Sequence, residues 1–147
     1  MISDDLRTLQ LGPLWVLSAL AGTHARFDPD ELAAFWDTVV AVALRSPQPA
    51  RDLLVSIGAD RTGLLMDFEL DNRPVVSGLG QALKALDKLE PSVGPAYRQC
   101  LVDIAIGIGR ARGPYGRRIT PEDEQMILLI AALLDVDLEP GLAGALV

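Results

Sequence analysis

A five-residue signal occurs twice in this chain of 147 residues and limits the folds open to it. Phe27-Asp28-Pro29-Asp30-Glu31 and, 92 positions on, Ile119-Thr120-Pro121-Glu122-Asp123 each read apolar residue, capping residue, proline, acid, acid. Every part of that order helps to start a helix. An Asp or Thr side-chain oxygen accepts a hydrogen bond from an otherwise orphaned N–H of the first turn. Proline in the first helical position forfeits no helical bond, and acids there meet the positive end of the helix dipole. Both signals follow an apolar helical stretch, and the loop before the second is the longer. Two units of helix, loop and capped helix therefore predict a compact all-α bundle holding two pseudo-symmetric helical hairpins, Trp15 to Leu44 and Ile104 to Leu134.

The rest of the chain reads as helix too. Leu14 to Ala21 is apolar nearly all round, as a buried helix is, with Pro13 as its predicted start. After Pro29, Leu32, Phe35, Trp36, Val39 and Ala43 form one stripe, ended by Ser46-Pro47-Gln48-Pro49. A short helix is expected from Ala50 to Ile57, stopped by Gly58, and another from Gly63 to Leu70. Pro74 opens a longer one through Val76, Leu79, Leu83 and Leu86, closed by Glu90-Pro91. From Pro95 the second unit places Tyr97, Cys100, Leu101, Ile104, Ala105 and Ile108 on a broad apolar face. The last main helix runs from Pro121 to Leu134. Its nine consecutive apolar residues from Met126 predict central core, with Ile104, Ile127, Ile130 and Leu133 nearly inaccessible. Residues 135–147 read as a short apolar tail. The expectation is about six or seven helices in one domain, 1–147.

Charge narrows the partners. At −7 the chain repels polyanions, so no nucleic acid is expected. One cysteine cannot form an internal disulfide, and one histidine excludes a His-rich zinc site. The acidic start Met1-Ile2-Ser3-Asp4-Asp5 lacks the positive charge of a signal peptide, and no stretch is apolar enough to span a membrane. The expected setting is cytoplasmic, with a protein partner and with homo-oligomers compatible.

The repeated unit resembles the TerB-like family, associated with tellurite resistance and stress response. The likeness covers most of the chain and is better in the second unit, at Ile119-Thr120-Pro121-Glu122-Asp123-Glu124 and Leu133-Leu134-Asp135-Val136-Asp137. The resemblance implies a divalent-cation site built from loop aspartates and helix-start acids of both units, because hard cations take several oxygen ligands. Here Ala25 falls where the family's Asp would stand, and residues 113–118, Gly-Pro-Tyr-Gly-Arg-Arg, carry no carboxylate. Asp30, Glu31, Glu122 and Asp123 remain. The resemblance thus implies a divergent, non-enzymatic binding or scaffold module that has lost the metal. A metal-binding protein using those four acids is the alternative.

The acids have a simpler account as dipole partners in first turns. Arg110, Arg112, Arg117 and Arg118 form the sharpest local anomaly in an acidic chain. They suit a phosphate, a carboxylate or an acidic partner, or else they balance neighbouring acids such as Glu122, Asp123 and Glu124. The run Gly107 to Gly113 lies at a helix end rather than after a strand, so it is not a dinucleotide loop. Asp67, Glu69 and Asp71 read as acids facing water, His24 as a solvated loop residue and Cys100 as core. No cofactor motif and no set of nucleophile, base and oxyanion donors stands out.

Overall fold

A computed structural model of the chain describes residues 4–22, 27–89, 91–112 and 119–138. It is all-α: α1 (Asp4–Ala21), α2 (Pro29–Arg45), α3 (Ala50–Ala59), α4 (Arg61–Leu70), α5 (Val75–Leu86), α6 (Val93–Arg112) and α7 (Pro121–Leu134). No strand occurs among the described residues. None of their helices is long and apolar enough to cross a membrane.

The first helix is longer than its sequence suggests. α1 runs straight through Pro13 instead of starting there. An interior proline has no N–H for the carbonyl four residues back, which here belongs to Leu9. The hydroxyl of Tyr97, on α6, donates to that Leu9 carbonyl and replaces the missing bond. Gly12 makes this approach feasible, since a Cβ there would collide with the Tyr97 hydroxyl. Tyr97 is fully buried, and burial pushes its pKa up, keeping the phenol a donor. One turn on, Trp15 fills the space left by Gly78 of α5 and meets Phe68 of α4 edge-on at 6.2 Å.

α1 packs chiefly along α5 and α6, while α6 also carries α2 on one side and α7 on another. The two units are not packed alike: α7 lies along its own unit's α6, whereas α2 leans on α6 and α3. α6 is therefore shared, with Tyr97, Leu101, Ile104 and Ala105 all inaccessible. Gly107 brings α2 close, for a Cβ there would stand 2.5 Å from Thr38 Cγ2. The chain turns between α3 and α4 at Asp60, two residues beyond Gly58, the expected stop.

α7 departs from the expectation of central core. Ile127, Ile130, Ala131 and Leu134 face inward, but Leu128 is 46% and Leu129 64% exposed, and Leu133 is only partly buried. A helix at the side of a bundle has one face covered, and at 3.6 residues per turn a run of nine apolar residues must point some outward. Ile104, Ile127 and Ile130 are as inaccessible as expected. Val76, expected on the α5 stripe, is 66% exposed because the buried face of α5 is Gly78, Leu79, Ala82, Ala85 and Leu86, with Gly78 against Trp15 of α1.

Candidate functional site

The two repeated signals do start helices. At α2, Asp28 Oδ1 accepts from Asp30 N at 3.2 Å, while Glu31 Oε1 accepts from Asp28 N at 3.4 Å, closing a capping box. At α7, Thr120 Oγ1 accepts from Asp123 N at 3.2 Å. Pro29 and Pro121 are each the first helical residue, so Glu31 and Asp123 hold the same third position.

Arg112, in the last turn of α6, joins these two positions. Its Nη1 donates to Glu31 Oε2 at 2.6 Å and its Nε to Asp123 Oδ2 at 3.0 Å. One carboxylate from each unit thus shares one guanidinium, in the fork geometry that suits such pairing. Asp123 is only 6% exposed, and a buried carboxylate is tolerable when an opposite charge and hydrogen bonds meet it. A pocket of about 230 Å³ beside the joint is lined by Asp28, Asp30, Glu31, Phe35, Ile108 and Arg112 among others.

The other residues singled out in the sequence divide. Asp30 and Glu122 are exposed in their first turns and do not pair with Arg112. Among the described residues, no three His, Cys, Asp or Glu side chains come together as a metal could use them. Arg110 is exposed and takes no carboxylate among the described residues. Arg117, Arg118, His24 and Ala25 lie outside the described residues. Cys100 is buried with its Sγ 3.1 Å from Ser46 Oγ, and burial pushes its pKa up, away from a reactive thiolate.

A second group of charges escaped the sequence reading. Asp67 and Asp71, expected to face water, each take a guanidinium: exposed Asp67 from Arg7, 60 positions away, and Asp71 from Arg73, two positions on. Arg7 on α1 pairs with Asp60 at 2.8 Å and Asp67 at 2.5 Å. Arg73 pairs with Asp71 at 2.6 Å, donates to Gln81 Oε1 at 2.6 Å, and lies 4.9 Å from the Trp15 ring centre. Its pKa is raised, first by the hydrogen bonds to Asp71 and against the pull of burial. The two arginines border a cleft of about 590 Å³ with Asp4, Asp5, Asn72 and Gln81. Arg7 and Asp67 are 60 positions apart, so no local pattern could have announced them.

Taken together, the Arg112 joint can hold two helix starts in place, while a cation arriving there would meet an arginine already in possession. Comparison of the chain with protein-family models, with curated proteins and with solved structures finds no match.

Proposed function

We infer that the chain is a non-enzymatic binding or scaffold module of TerB-like type, acting in a bacterial-type stress response in the cytoplasm. Its contacts are with a protein partner or an anionic ligand. One observation carries this reading: helix-start acids of both units meet at a single point, and Arg112 stands between them. A guanidinium there bridges Glu31 and Asp123 and offsets part of their repulsion at any physiological pH, so the two units stay joined without a divalent ion. The bundle then serves as a rigid body whose surface does the binding.

The meeting of Glu31 and Asp123 is also what favours the second reading, a divalent-metal protein using Asp30, Glu31, Glu122 and Asp123. Ligand number weighs against it. Calcium takes six to eight oxygens, and Arg112 already uses one oxygen from each of two acids. Calorimetric titration with calcium, magnesium and manganese separates the two. The joint predicts weak or no binding by the native chain and a gain in affinity on Arg112→Ala. Tight binding by the native chain, or a melting temperature lowered by chelator, would favour the metal reading. A pull-down from the producing cells identifies the partner.

A further inference from the structure

Six of the eight described arginines hold a carboxylate or a backbone carbonyl. Arg7, Arg73 and Arg112 pair with aspartates or glutamate, while Arg51, Arg61 and Arg98 donate to carbonyls of Ala43, Gly58 and Leu134. Arg45 and Arg110 do neither among the described residues. These two line one groove of about 330 Å³ between α2 and α6.

The groove follows from how the two helices pack. Ser46 stands against Cys100, Gly107 against Thr38 and Arg112 against Glu31, so α2 and α6 run antiparallel. Gly107 lets the backbones come together at Thr38, and Thr38 and Ala41 line the groove from α2. Arg45 lies in the last turn of α2 and Arg110 in the last turn of α6. Antiparallel packing sets these turns at opposite ends of the trough, and both side chains reach into the lining of the one groove. Among the described residues Asp103 is the only acid in its lining, with one oxygen taken by Gln99 Nε2 at 2.9 Å. Two guanidiniums against one carboxylate leave a local positive site in a chain of net charge −7.

We propose that this groove binds the phosphoryl group of a small ligand, as free phosphate or as a phosphomonoester. A tetrahedral oxyanion near two negative charges matches two guanidinium forks, which can supply several charge-assisted hydrogen bonds at once. A carboxylate, with one charge and two oxygens, needs only one such fork. Ile106 and Ala41 offer a small apolar wall for the ester's remaining carbons. The volume lies at the low end for small-molecule sites, which fits a compact ligand better than a nucleotide. The groove is distinct from the Arg112 joint. The inference rests on the binding-module reading for its role and supplies that reading with a ligand class.

The test is titration of the full chain with inorganic phosphate and with glycerol phosphate, at constant ionic strength, by calorimetry or phosphorus NMR. Saturable binding is expected, weakened about tenfold or more by Arg45→Gln and by Arg110→Gln, since each removes charged hydrogen bonds. Asp103→Asn should tighten it by removing the one opposing charge. Lys84→Gln, an equal change in net charge on α5, should leave it unaltered. Tighter binding of the ester supports a phosphomonoester, and equal binding supports the free ion. Absence of saturable binding, equal loss in Lys84→Gln, or stronger binding of glutarate or an acidic peptide would overturn the proposal. All four positions are at least partly exposed, and unchanged thermal melts confirm folded variants. Failure here leaves the calcium, magnesium and manganese titration of Arg112→Ala unaffected, so the two readings can fail separately.

Discussion

The starts of α2 and α7 share an order of residue types yet solve the first turn differently. At α2 the third acid is Glu31, long enough to reach back to the Asp28 N–H with one oxygen and give the other to Arg112. At α7 the same position holds Asp123, one methylene shorter, whose backbone N–H is taken by Thr120. Asp123 is drawn into the bundle, where Arg112 is the only cation within pairing range among the described residues. One shared arginine therefore means different things to its partners: an addition to an already closed cap at α2, and the counter-charge of a buried carboxylate at α7.

That asymmetry ranks the expected effects of mutation. Arg112→Ala should cost the most, about 2–3 kcal/mol in denaturant melts, because it strands the Asp123 carboxylate in a place with little water. A loss below about 0.5 kcal/mol, as for an exposed pair, would break the comparison by showing that water reaches Asp123. Next, Thr120→Ala and Asp28→Ala should each cost about 1 kcal/mol, the usual loss on removing a cap. The α7 change should be the larger, since Glu31 still covers one N–H at α2. Smallest is Glu31→Gln, expected within about 0.5–1 kcal/mol, because its amide oxygen still accepts from Arg112 and only the long bond from Asp28 N, at a part-exposed site, is given up. An effect of Glu31→Gln as large as that of Arg112→Ala would reverse the ranking.

Both helix starts were legible in the sequence because capping is local: the residues that act lie within four positions of one another. The all-α architecture follows from the same short-range signals and from periodicity. What escaped was decided at long range. The passage of α1 through Pro13 depends on Tyr97, 88 positions away, to satisfy the Leu9 carbonyl. The outward turn of Leu128 and Leu129 depends on which neighbours α7 has, which an unbroken apolar run does not disclose. The candidate site was half legible. Glu31, Asp123 and Arg112 were among the residues singled out, but nothing in a run of arginines tells which one turns inward. Arg45 carried no signal at all, since a basic residue in a last helical turn is ordinary. Its place beside Arg110 exists only once α2 and α6 lie antiparallel.

Arg112 serves chiefly the buried Asp123. Two double-mutant cycles measured in one denaturant series test this directly, pairing Arg112→Ala with Asp123→Ala and with Glu31→Ala. The predicted coupling is about 2 kcal/mol for Arg112 with Asp123, a buried charged pair, and under about 1 kcal/mol for Arg112 with Glu31. Coupling near zero in both cycles, or larger with Glu31 than with Asp123, would contradict it.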